Sequence, residues 1–340
     1  MKIVERKGRQ YRLPAGLNEF QQEMYIHLID WKWKYRTLEP GYYRGNPYDA
    51  LLPDSLREKL VLIHPSVVDD FNSHWERFQF KKHKFINHIA SSQIACVNLF
   101  LPLFRYPGKA AQVLQAVKPD LQEIAVNQFD SGFQLEFWDD RDKSLNDHTQ
   151  AAGTEADIAI AYYSKIGDLD LWLIEHKLTE HEFTTCGGYR SHGRKPRHRC
   201  DSITEILRNK QLCYYANVSD YRYWDVTIDN EQMFPRKNLL EFGTCPFQGG
   251  LNQLWRNQLL GLAIENSTSG KWNFKRVYFS VVHHPKNRHL EASMNLYRKL
   301  MGLNDRFFSF TSDLLINRAK QLNFSPWENW LTWYEDLYYF

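Results

Sequence analysis

Three side chains in this sequence have the types and spacing to do hydrolytic chemistry together. They are Asp157 in the run GTEADIAIAYY and the pair Glu175 and Lys177 in LDLWLIEHKL. Side chains alternate faces along a strand, so Asp157 shares a face with Ala159 and Ala161, while Glu175 shares one with Lys177, Leu173 and Leu171. The segment SKIGD between the two runs is short and bears a glycine, as a hairpin loop should. Pairing the runs brings two carboxylates and one amine to the same end of a hairpin whose other positions are apolar, and the small alanines leave room for a ligand. Two carboxylates form a hard, oxygen-only donor set that suits Mg²⁺ or Mn²⁺ rather than Zn²⁺. Such an ion polarises a phosphate ester and acidifies a bound water, and Lys177 is placed to hold that water or to stabilise developing charge. Spacing alone leaves a second reading open, in which these groups form an exposed salt-bridge ladder across the hairpin. Glu155 falls on the same face as Asp157 and is either a further ligand or a solvated neighbour.

The elements that must position these groups are legible in part. A chain of 340 residues suffices for one large domain, or a core with an appended subdomain, without disulfides. Residues 1–65 read as an aromatic, basic N-terminal arm, irregular over most of its length, and residues 66–340 as the catalytic domain. Helical patterns run from Ser66 to about Tyr106, where Pro102 and the Pro107-Gly108 pair should end them. KAAQVLQAVKPD suggests another helix, broken by Pro119, and FQLEFWDD a strand ahead of the hairpin. After residue 248, GLNQLWRNQLLGLAIEN reads as a helix, FKRVYFSVVHH as a strand and HLEASMNLYRKLMGL as an amphipathic helix. This order predicts an α/β fold, a mixed β-sheet flanked by helices.

Between hairpin and helix, at about 179–248, lies an insert rich in cysteine and basic residues. Cys186, Cys200, Cys213 and Cys245 lack the paired CxxC knuckles of a structural zinc site. Plain reduced thiols rank first, a zinc site of these cysteines or of mixed cysteine and histidine second. The run GGYRSHGRKPRHR has no acid, and its glycines and proline argue against a helix. Arg190, Arg194, Lys195, Arg197 and Arg199 make it a loop fit to track phosphates, since basic side chains release counterions on binding nucleic acid. The adjacent His283 and His284 point to opposite faces of a strand, so one of them is structural.

Composition narrows the classes. With 43 Lys plus Arg against 40 Asp plus Glu, the formal charge is only +3, so nucleic-acid contacts must come from local patches. Aromatics make up 15% of the chain, which leaves core packing and base stacking both open. No stretch approaches the roughly 20 apolar residues of a membrane span, the start lacks a signal peptide's apolar centre, and an odd count of five cysteines fits a reducing compartment. A cytoplasmic protein is expected. No Walker loop or dinucleotide glycine fingerprint appears, which argues against an ATP-driven motor.

GTEADIAIAYY followed by LWLIEHKLTE resembles the PD-(D/E)xK nuclease superfamily, with Asp157 as first acid, Glu175 as second and Lys177 as the lysine. SSQIACVNLFLPL resembles the helix that lines the site in a restriction endonuclease-like branch, and CPFQGGLNQLWRNQLLG resembles the helix that follows. The resemblance spans roughly residues 84–260. It implies a restriction-endonuclease-like fold and Mg²⁺-dependent hydrolysis of DNA, with RNA as an open alternative and restriction or phage defence as the setting. Double-strand cutting with one site per chain favours a homodimer or a partner protein. On the later helix Gln253, Arg256 and Asn257 share one face. The resemblance implies a supporting catalytic role for Gln253, and Arg256 joins the nucleic-acid contacts. The alternative is a polar stripe over a core of Leu251, Leu254 and Leu260. Iron–sulfur clusters of some related exonucleases use widely separated cysteines, and for the cysteines here a cluster ranks behind zinc.

One feature departs from the family. Many members carry a glutamate on the first helix, whereas this stretch offers Gln93, Asn98 and His88 but no acid. Either Glu123 or Glu136 substitutes from elsewhere or a second metal is held by water, and one-metal and two-metal sites both remain open. Two competing functions are a non-catalytic nucleic-acid-binding or scaffold protein that keeps a nuclease-like sheet, and a hydrolase of other phosphoesters.

Overall fold

The computed structural model describes every residue except 7, 149–152, 191–199 and 303–304, together with the side chain of Arg190. The first 50 residues are not irregular. They form a hairpin of β1 (Lys2–Arg6) and β2 (Arg9–Leu13), a helix α1 (Glu19–Tyr35) and a small hairpin of β3 (Gly41–Tyr43) and β4 (Asn46–Tyr48). Asn18 and Gln21 close a capping box that starts α1. Its period is hidden because the run WKWKY interleaves charge with aromatics. Lys32 is itself buried and donates to the Glu39 carbonyl at 2.9 Å.

Two helices, α2 (Val68–Phe78) and α3 (Ser92–Phe104), follow, then α4 (Pro107–Leu114). Pro102 does not end α3. It removes the N–H that would bond the Asn98 carbonyl, and the indole of Trp330 donates to that carbonyl instead at 2.8 Å. Pro107 opens α4 rather than closing its predecessor, because a missing N–H costs nothing in a first turn.

The sheet comprises β5 (Leu121–Ile124), β6 (Phe133–Phe137), β7 (Ala156–Ser164), β8 (Leu169–Lys177), β9 (Val277–His283) and β10 (Phe307–Thr311). Its order is β10-β9-β8-β7-β5, with β6 beside the other end of β7. The β7–β8 pair is the expected antiparallel hairpin, turned at Gly167 with a φ of 86° that suits glycine. β9 and β10 add in parallel, so the sheet is mixed, as predicted. Ile158, Ile160, Trp172 and Ile174 face a core shared with α1, α3 and the C-terminal helices α7 (Ser312–Gln321) and α8 (Glu328–Tyr338). Ala159, Ala161, Leu171 and Leu173 face the other, under α5 (Leu251–Glu265) and α6 (Glu291–Met301). Burial on both faces explains why these strands are almost wholly apolar away from their acidic end. Helix α5 approaches closely because of Gly261, where an added Cβ would stand 2.9 Å from Val277 Cγ1.

The insert contains short helices, Gly187–Arg190, Ile203–Arg208, Tyr214–Asn217, Tyr223–Asp229 and Arg236–Leu240. The first occupies the glycines expected to prevent one. No helix among the described residues is long and apolar enough to cross a membrane.

Candidate active site

Register decides which groups meet. Ile158 pairs with Ile174, which sets Asp157 beside Glu175. Leu135 and Phe137 pair with Ile158 and Ala156, which sets Glu136 on the other flank of Asp157. Three carboxylates therefore stand abreast on β6, β7 and β8. Glu136 has a φ of 47°, left-handed for a residue with a side chain. Strand alternation breaks there, with Phe133 and Leu135 in one core layer and Phe137 in the other. The Glu136 carboxyl lies against the Gln93 carboxamide of α3. Register thus puts Glu136, and not Glu123, beside Asp157. Glu123 pairs with Tyr163 near the turn of the hairpin, exposed and away from the site.

Glu175 is the most constrained of the three. Its Oε1 accepts from Lys177 Nζ at 2.8 Å and Gln253 Nε2 at 2.7 Å, and its Oε2 accepts from Asn257 Nδ2 at 2.8 Å. The Gln253 carbonyl oxygen accepts from the Thr184 amide at 3.1 Å, which fixes that side chain in turn. A carboxylate has about four lone-pair directions, so one on Oε2 stays free for a ligand. Asp157 Oδ2 accepts from the His176 amide at 2.6 Å. Glu175 and Lys177 are both buried, so the exposed salt-bridge ladder does not describe them.

Electrostatics follow from this crowding. Burial, reinforced by Glu175 and Glu136, lifts the Asp157 carboxyl well above its ordinary range. Burial, with Glu155 and Glu175 adding to it, pushes Glu136 up to about 8. Glu155 is raised as well, chiefly by burial. Burial alone would lower Lys177, but Glu175, Glu180 and Asp157 outweigh it and keep the amine above the usual lysine value. One ammonium faces several crowded carboxyl groups, and burial disfavours ionisation of Asp157, Glu136 and Glu155, an arrangement that a divalent cation relieves. Among the described residues no three acid, histidine or cysteine side chains stand at metal-ligand spacing. A hard ion here would be held by Asp157 and Glu175, with water completing its shell, as Mg²⁺ commonly is.

Other expected residues go elsewhere. Arg256 donates through Nε to Thr154 Oγ1 at 3.1 Å and through Nη2 to the Gly153 carbonyl. Thr154 in turn bonds Asp147, which also accepts from Tyr223 at 2.6 Å. The guanidinium is thereby engaged in the scaffold that leads into β7. Arg194, Lys195, Arg197 and Arg199 lie outside the described residues, as does the side chain of Arg190. His283 and His284 are buried, and a ring nitrogen of His284 lies 2.9 Å from the Tyr338 carbonyl oxygen.

All four insert cysteines are buried, free thiols in one neighbourhood. The Cys245 amide donates to the Cys200 carbonyl at 3.3 Å, the Gln248 side chain donates to that carbonyl at 2.6 Å, and the Cys186 amide donates to the Gln248 carbonyl at 3.1 Å. A hydrogen bond joins the Cys200 and Cys213 thiols, lowering Cys213 to about 7 and raising its partner. Asn257, Gln93 and Thr184 were not assigned their roles from sequence, and only the helical spacing of Gln253 and Asn257 signalled one of them.

Residues 25–339 match the family described as Restriction Endonuclease associating with ARP, REase-ARP. No curated protein and no solved structure matches the chain. With the mixed sheet flanked by helices, the family match gives a restriction-endonuclease-like fold and a nuclease-like role.

Proposed function

The chain belongs to the REase-ARP family, and on that premise we propose that it is a PD-(D/E)xK-type nuclease that hydrolyses DNA phosphodiester bonds with Mg²⁺ or Mn²⁺. The observation that carries this reading is the clamp on Glu175, whose two oxygens take Lys177, Gln253 and Asn257 while Asp157 stands alongside. Asp157 and Glu175 would hold the ion, which when bound polarises the scissile phosphate and acidifies a water. Lys177, whose ammonium bonds Glu175 at 2.8 Å, donates to the attacking water or a phosphoryl oxygen and stabilises charge that develops there. Gln253 and Asn257 act through Glu175, fixing the direction of its free lone pair.

The family's described association with ARP favours a partner protein, and a restriction or antiviral setting agrees with its endonuclease description. Supercoiled plasmid and a small phosphoester, each incubated with Mg²⁺ or chelator, test the activity. Plasmid cleavage confined to Mg²⁺ and absent from Glu175→Gln supports the reading, and turnover of the small ester alone replaces it.

A further inference from the structure

A second feature borders the three acids. A cavity of about 450 Å³ opens beside the catalytic end of the hairpin, lined by Tyr43, His83, Phe85, His88, Gln93 and Glu180 among others. Gln93 belongs to both places. Its carboxamide lies against Glu136 and opposes part of the rise in its pKa, accepts from the His83 amide at 2.9 Å and donates to the Lys81 carbonyl at 3.1 Å. One side chain therefore fixes an acid of the site and the strap of residues that walls the cavity. Thr179 and Glu180, which follow Lys177 closely, complete the boundary.

The lining has a distinct chemistry. Tyr43 and Phe85 meet edge to face at 5.7 Å, and Tyr43 is 37% exposed. Deeper in, the Tyr48 hydroxyl lies 2.9 Å from His88 Nε2, so these two polar edges satisfy each other and present ring surface. The rim is basic: Arg44 lies 5.3 Å from the Tyr43 ring, and Lys84 lies 5.5 Å from the Phe85 ring. Lys81 precedes Lys84 in the KKHK run, whereas Lys82 turns away over the Trp75 ring at 3.7 Å. Among the described residues Glu180 is the one acid in the lining, and its Oε2 accepts from the amides of Leu178 and Thr179 at 2.8 and 3.0 Å. Flat apolar walls and a cationic mouth suit a planar aromatic group that carries an anion. A base inside a duplex offers neither free face, so only an extruded or single-stranded base can enter.

We propose that this cavity receives one unpaired base of a nucleic-acid strand, stacked on one of the Tyr43 and Phe85 rings and meeting the other edge-on, with its phosphate at the basic rim. Placing that base next to the scissile phosphate rests on the nuclease reading; the base site itself does not. The test measures affinity by fluorescence anisotropy in chelator, where no cleavage occurs, for a labelled duplex and for the same duplex with a one-base bulge. The wild-type chain should prefer the bulged duplex by about tenfold, the size expected from stacking on aromatic side chains. Phe85→Ala and Tyr43→Ala should each abolish the preference while leaving affinity for the paired duplex unchanged, and Tyr43→Phe should keep it. Equal affinity of the wild type for both duplexes overturns the proposal. So does a loss in the alanine variants that affects both duplexes alike, since that marks a structural role. A persistent preference in a protein that cuts nothing in Mg²⁺ would remove the nuclease reading and leave the base site standing.

Discussion

Asn257 donates to Oε2 of Glu175 at 2.8 Å across 82 residues of sequence, and Gln253, one turn earlier on the same helix, takes Oε1 at 2.7 Å. A single helix thus sets both oxygens of the carboxylate before any ligand arrives. Gly261, one further turn along, lets that helix lie close enough on Val277 and Leu173 for the reach to work. Pre-set orientation of this kind is what a ligating carboxylate needs from its surroundings.

Asn257→Ala should therefore weaken Mn²⁺ binding by about 10- to 100-fold in a calorimetric titration, the usual cost of losing an outer partner of a metal ligand. Gln253→Ala should act in the same direction. Unchanged affinity in both variants would reduce the helix to packing.

Glu136→Gln should separate folding from ion binding. Burial and the neighbouring acids already disfavour ionisation of Glu136, so its neutral replacement should raise the melting temperature without metal. It also removes the charge that Glu136 would take up once a cation favours its ionisation, and the stabilisation gained on adding Mg²⁺ should shrink by about 1.4 kcal/mol for each tenfold loss of affinity. Thermal unfolding with and without Mg²⁺ checks both signs. An unaltered Mg²⁺ increment would place Glu136 outside the site's electrostatics.

His74 makes the strand that carries Glu136 sensitive to acid. Its Nε2 accepts from the Leu135 amide at 3.0 Å, and its ring stacks on Phe133 at 4.8 Å. Burial, helped by Arg77, lowers the imidazole to about 4 from an ordinary 6.5. Between those values the unfolded chain binds a proton that the folded chain refuses. The stability this group contributes is complete above pH 6.5 and is lost as pH falls towards 4, by at most about 3 kcal/mol. Urea midpoints from pH 7 to pH 5 should fall in the wild type, with a shallower slope in His74→Gln. An equal slope would assign the acid sensitivity to other groups, of which His88 and His284 share the same direction.

Arg256→Ala should cost stability more than affinity. Its guanidinium bonds Thr154 and Gly153, next to Asp147 and Tyr223, and its loss leaves buried acceptors unpaired at about 2–3 kcal/mol. The salt dependence of DNA binding should stay as in the wild type. A slope reduced by about one would instead mark a phosphate contact.

The central hairpin was legible because its two strands are apolar runs whose charges, Asp170 beside the turn apart, sit at one end, joined by a glycine-bearing turn. Asp157, Glu175 and Lys177 could be brought together by register alone. Glu136 was named only beside Glu123, because its placement depends on a left-handed residue that breaks the alternation of β6. Helix α3 was cut short in the reading because the donor that rescues Pro102 is Trp330, more than 200 residues away. β10, α7 and α8 lie beyond the last element anticipated, and α1 was lost because WKWKY mixes lysine into a buried face. The convergence of the four cysteines has no signature in their spacing, since short helices and loops carry the chain between them.

The most direct test of the account is plasmid cleavage by the wild type and Lys177→Ala, each with Mg²⁺ and with chelator, alongside circular dichroism and DNA-binding controls. The account predicts cleavage by the wild type in Mg²⁺ alone, and a rate about 10²- to 10³-fold lower in a folded, DNA-binding Lys177→Ala protein. A variant that cuts at the wild-type rate, or a wild type that cuts equally in chelator, would contradict it.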